Sequence, residues 1–221
     1  MSDQADLGGS TDVSPPRHYR VKPSFIAGFV VYVAYLAVFY ATWAVNKVDY
    51  EHIGETADSA KLHYALPTLL GGVTIVILVT AFGWWRPSLF DRERSGPAWA
   101  WIGPILMIVF AVAGYATMHT DKLTSELLLW SILGGIGVGF GEEMISRGSM
   151  VVGLRGHGFD ETKVWLFSTL LFAALHAPNA LFGESVGGML GQLVSTFVIG
   201  GLFFAIRRIS GTLILCMFLH G

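Results

Sequence analysis

Long apolar runs separated by short polar segments set the pattern of this chain. Six runs, at about 24–45, 65–85, 98–118, 127–153, 164–182 and 187–206, are each long enough to cross a hydrocarbon core as a helix. A seventh starts near Gly211 and reaches Gly221. At about 1.5 Å per residue it covers only about 16 Å, half a span. The pattern predicts an all-α, polytopic integral membrane bundle of six full spans plus a truncated seventh, over residues 23–221. Residues 1–22 are polar and contain Pro15 and Pro16, so they read as a flexible cytoplasmic tail. They lack the basic start, apolar stretch and cleavage site of a signal peptide.

Composition agrees with the pattern. The chain is 53% hydrophobic and 14% charged, where a soluble domain carries about 25% charged residues. A net charge of −2 gives no reason to expect a nucleic-acid partner. The single cysteine, Cys216, rules out an intrachain disulfide and, inside an apolar run, reads as a packed thiol. Lysine and arginine set the orientation. With the N-terminus in the cytoplasm, the inner segments hold Arg17, Arg20, Lys22, Arg86, Arg92, Arg94, Arg155, Lys163, Arg207 and Arg208. The outer loops then hold only Lys47, Lys61 and Lys122. All seven tryptophans fall near segment ends, where interfacial anchors belong. The acidic loop 46–64 reads as solvated and outside.

Three charges break the apolar rule. Glu142, Glu143 and Arg147 lie in the fourth span, where an Asp, Lys or Arg costs about 2.5–3.5 kcal/mol at mid-depth and Glu is expected to be similar. Glu143 and Arg147 are four residues apart in the favoured order for an ion pair. Glu142 is rotated by about 100° from Glu143 and is left to face something else. Five histidines, His18, His52, His63, His119 and His157, fall in the tail or loops and read as solvated. His176 and His220 lie within runs, about 18 and 14 Å from the inner ends, in the depth band of Glu142. Glycines at Gly135-xxx-Gly139, Gly137-xxx-Gly141 and Gly187-xxx-Gly191 are spaced for close helix approach.

A glutamate in an apolar pocket can take a proton from water near neutral pH. One histidine can orient that water and another can donate to the oxyanion formed on a carbonyl. Glu142, His176 and His220 therefore make a hydrolase set without a covalent nucleophile, and peptide bonds suit it. The same three side chains could instead hold Zn²⁺ with a water in the fourth position, although no HExxH is present.

At these residues the sequence resembles the CPBP family of CAAX prenyl endopeptidases, abortive-infection proteins and bacteriocin-processing or immunity proteins. The EExxxR motif is Glu142 to Arg147, with Ser146 where a bulky apolar residue is common. The FxxxH motif is Phe172 to His176, and His220 matches the histidine of the last conserved helix. The Asn or Asp that often follows that histidine by four positions would lie beyond Gly221. The resemblance covers about 125–221. It implies an intramembrane endopeptidase with a cavity opening towards the cytoplasm. In it Glu142 activates water, His176 assists and His220 stabilises the oxyanion. Glu143, Arg147, Phe172 and Asn179 would shape the site, Phe172 by packing.

The expected activity is hydrolysis of peptide bonds in membrane-associated protein substrates, CAAX-type prenylated ones among them. No cofactor is expected, with Zn²⁺ the alternative. The expected location is a bacterial plasma membrane. Two other readings are a non-catalytic immunity or scaffold protein and a proton-coupled small transporter. The lack of visible inverted repeats weighs against the transporter.

Overall fold

The computed structural model of the chain describes residues 19–91, 93–117 and 123–221. Most of the expected tail, with Arg17 and His18, lies outside the described residues, as do Arg92, His119 and Lys122. Six helices have the length and apolarity to cross a membrane: α1 (Phe25–Asn46), α2 (Ala57–Phe82), α4 (Ala98–Thr117), α5 (Ser125–Gly156), α6 (Glu161–Phe182) and α7 (Val186–Ser210). Two short α-helices, α3 (Trp85–Leu89) and α8 (Ile214–His220), and a 3₁₀ turn at Tyr50–His52 complete the described set. The all-helical membrane bundle is therefore as expected.

Local sequence explains the boundaries. Ser24, Thr56, Thr124, Asp160 and Ser185 each accept a backbone N–H at the start of a spanning helix. Gly83 and Gly211, both at φ 73°, close α2 and α7. Helix α2 begins eight residues before the expected position. Lys61 and His63 looked like loop residues, but Thr56 and Ser59 form a capping box and start the helix at Ala57. Helix α3 was not expected.

Two helices widen into π-helix, α2 over Ala60–Ala65 and α5 over Met144–Ser149. Helix α6 narrows instead. It is α-helical over Glu161–Ala174 and turns tighter over Ala177–Phe182, where Pro178 lacks the N–H that would continue the α-helix. Alternation of the spans puts Arg20, α3, Asp91, Arg155 and Gly211 at one end of the bundle. Tyr50, Gly183 and Gln192 lie at the other.

The core gathers Val31, Ile75, Met144, Ile145, Leu154 and Ile206 around the middle of α5. Helix α4 stands at the periphery and exposes Ile105, Phe110 and Val112. Trp99 and Trp101 are exposed, as anchors should be, but Trp43 and Trp84 are core residues. Their indole N–H groups donate to the carbonyls of His63 and Val21. Gly187 and Gly191 also depart from expectation, because among the described residues nothing lies within 4 Å of a Cβ built at either.

Candidate active site

The glycines of α5 decide what can approach Glu142. A Cβ on Gly135 or Gly139 would collide with the backbone of α8 and Gly221, so these two glycines seat the short helix that carries His220. A Cβ on Gly141 would meet the Tyr35 ring. Phe172 and His176 come from α6, with His176 placed where that helix tightens before Pro178.

These elements bring the three expected side chains together. The Oε2 atom of Glu142 lies 3.9 Å from Nε2 of His176 and 3.7 Å from Nε2 of His220. The other ring nitrogen of each histidine is committed. Nδ1 of His176 donates to the Phe172 carbonyl at 3.2 Å, and Nδ1 of His220 donates to Oε1 of Glu143 at 2.9 Å. Both rings therefore turn Nε2 towards Glu142. Its Oε2 is buried with no hydrogen-bond partner among the described residues. Among the described residues no three His, Cys, Asp or Glu side chains are arranged as a metal site.

Glu143 does more than neutralise Arg147. Both side chains are fully buried and joined at 2.8 Å, and the same Oε1 also receives His220. Phe172 is also more than packing. Its face lies 3.6 Å from the Arg147 guanidinium carbon, and its edge meets the rings of His176 and His220. A Cβ on Gly200 would sit 2.8 Å from an Arg147 nitrogen, so a glycine of α7 makes the room for that side chain. Asn179 accepts from the Tyr40 hydroxyl at 3.0 Å and donates to Gln192 at 2.9 Å, linking α1, α6 and α7.

The family model described as type II CAAX prenyl endopeptidase Rce1-like matches residues 124–221. No curated protein and no solved structure matches the chain. The Rce1-like region, as matched, holds Glu142, Glu143, Arg147, His176 and His220.

Helices outside the Rce1-like region build the rest of the site. A cavity of about 360 Å³ has Glu142 and His176 at its floor. Its walls are Tyr35, Phe39, Tyr40 and Trp43 of α1, Tyr50 and Ile53 of the following loop, and His63, Tyr64 and Thr68 of α2. His63, read as a solvated loop residue, instead lies in the π-helical turn of α2, with Nδ1 buried and unpartnered among the described residues. Part of the loop 46–64 thus folds over the cavity. His52, by contrast, is exposed beside Asp49 and Glu55, as expected.

The opposite end of the bundle is held by charges whose pairing was not legible. Arg207 is fully buried. It donates to Asp91, to the Pro87 carbonyl at 3.0 Å, and to the Arg147 carbonyl within the widened turn of α5. Arg155 joins Asp91 at 2.8 Å and Glu161 at 2.7 Å, and Arg208 joins Asp91 at 3.2 Å. Burial alone would raise the Asp91 carboxyl. The charge of Arg207, then the hydrogen bond and charge of Arg155, outweigh it and hold the pKa at about 2. Cys216 is buried, as expected, with its thiol against the Phe203 carbonyl at 3.3 Å.

Proposed function

We propose that the protein is an intramembrane endopeptidase that hydrolyses peptide bonds of membrane-associated substrates, CAAX-type prenylated proteins among them. The observation that carries this reading is the unpartnered Oε2 of Glu142 at the cavity floor, faced by two histidine nitrogens at 3.7 and 3.9 Å. Glu142 takes a proton from water as the water oxygen bonds to the peptide carbonyl carbon. His176 orients that water. His220 stabilises the oxyanion from Nε2. Because its Nδ1–H is held by Glu143, donation from Nε2 calls for the doubly protonated ring, a form that the Glu143 carboxylate pairs with.

The residues at the end of the bundle that carries Arg20 and Asp91 support a cytoplasmic N-terminus, since most described lysines and arginines lie there. The cavity is walled by the loop after α1, at the other end. The two expectations, an N-terminus in the cytoplasm and a cavity opening to the cytoplasm, therefore exclude each other. We favour the charge-based orientation, with the cavity mouth on the non-cytoplasmic side.

The test is cleavage of a membrane-anchored peptide by the purified protein, with and without a chelator, beside Glu142→Gln. The expected result is cleavage that survives the chelator and falls by about 10²–10⁴ in Glu142→Gln. Undiminished cleavage by Glu142→Gln would falsify the glutamate-base reading. Loss on chelation with recovery on added Zn²⁺ would assign the water to a metal on Glu142, His176 and His220 instead.

A further inference from the structure

Three tyrosines of α1 face the helices that carry the site, and two of them are engaged. The Tyr32 hydroxyl donates to the Leu171 carbonyl at 2.7 Å, and the Tyr40 hydroxyl to the Leu175 carbonyl at 2.6 Å. These carbonyls lie one turn apart and bracket Phe172, so both tyrosines brace the stretch of α6 that positions His176. Tyr35 lies between them in sequence and is not engaged. It is 1% exposed, and its hydroxyl has no hydrogen-bond partner among the described residues.

A buried hydroxyl without a partner is destabilising, and a catalytic role is one reason a native fold keeps one. The surroundings of Tyr35 are built for it. Its ring fills the space that side chains on Gly71 and Gly141 would need. Its oxygen lies 2.8 Å from the point a Cβ on Gly141, the residue before Glu142, would occupy. Tyr35 also lines the same cavity as Glu142 and His176. A substrate carbonyl entering that cavity would meet a base from α5 and an unused O–H donor from α1.

We infer that the Tyr35 hydroxyl donates a hydrogen bond to the peptide carbonyl that water attacks, a catalytic group supplied from outside the Rce1-like region. The inference rests on the hydrolase reading above. In the step, the water oxygen bonds to the carbonyl carbon while Glu142 takes its proton. The carbonyl π pair moves onto oxygen, where the Tyr35 O–H binds it. When the intermediate collapses, the carbon–nitrogen bond breaks and the leaving amine receives the proton from Glu142. Tyr35 keeps its own proton throughout.

Tyr35→Phe in the full chain is the test, because it keeps the ring between the two glycines and removes only the donor. The probe is a fluorogenic peptide with a farnesylated cysteine followed by Val, Ile and Met. The expected result is a kcat lowered about 10²–10³-fold, with KM within about threefold and melting unchanged or raised. A kcat within about threefold of the parent overturns the inference. Tyr32→Phe is the control for a bracing role and is expected to lower the melting temperature. Glu142→Gln separates the two claims. If it is inactive while Tyr35→Phe is unaffected, only the inference falls. If it cleaves at the parent rate, or if the parent leaves the probe intact, the hydrolase reading fails and takes the inference with it.

Discussion

Replacing Glu143 and replacing Glu142 by alanine should have opposite consequences, although the residues are neighbours. Glu143 accepts from Arg147 at 2.8 Å and from His220 at 2.9 Å through one oxygen, and both members of the ion pair are fully buried. Arg147 already has two guanidinium nitrogens without partners among the described residues. Glu143→Ala would leave that cation in the core with the faces of Phe172 and Phe203 to offset it. Removing one partner of a buried pair costs about 3–5 kcal/mol. That is a shift of between about a hundredfold and a few thousandfold in the folding equilibrium, against a total stability of about 5–15 kcal/mol. Glu142 has no such partner, and its Oε2 is unsatisfied. Glu142→Ala removes a buried charge and should leave stability unchanged or raised while abolishing cleavage. Thermal and SDS-induced unfolding in micelles, run beside the cleavage assay, separate the two. A Glu143→Ala variant that melts with the parent, or a Glu142→Ala variant that falls as far, refutes the division of labour.

Asp91 gives the expected pH dependence. Its folded pKa of about 2 lies below the ordinary value of about 3.9. Its stabilisation is therefore fully present above about pH 4 and is lost as pH falls towards 2. The melting difference between the parent and Asp91→Asn should be large at pH 6 and shrink steadily below pH 4; a pH-independent difference would contradict the pairing with Arg207 and Arg155. The orientation is open to a direct check at Glu51, which lies in the loop after α1. In intact cells a membrane-impermeant maleimide should label a Glu51→Cys variant, and labelling only after lysis would reverse the proposed sidedness.

The membrane architecture was legible because its signal is crude. Twenty apolar residues can do little else, and the six spans lie within a few residues of expectation except at the start of α2. The pairing of Glu143 with Arg147 followed from helical spacing, and the meeting of Glu142, His176 and His220 from depth alone. Apolar periodicity could say nothing of which face meets protein, since lipid and core are equally apolar. Gly187 and Gly191 therefore looked like a packing seam and Trp43 and Trp84 like anchors. Asp91 and Arg207 are 116 residues apart, and each read as an ordinary residue of a polar segment. His63 was missed because polar residues in the second turn of a helix, here Lys61 and His63, resemble a loop. A capping signal at Thr56, followed by apolar residues from Tyr64 on, was the available clue.

The seal beneath the site bears on a separate demand, that of insulation. A membrane that stores a proton gradient cannot tolerate a wire of titratable groups from one face to the other. Here the Glu142 carboxylate sits at the floor of a cavity walled from one end of the bundle. Below it, Arg147 and Arg207 are locked on carbonyls and carboxylates among Met144, Ile145, Met150 and Leu154, all of them fully buried. Guanidinium groups do not give up their protons at cellular pH, so Arg147 ends the run of titratable groups that leads from Glu142 through His220 to Glu143. The carboxylate proposed as the base can then be hydrated from one compartment without short-circuiting the two.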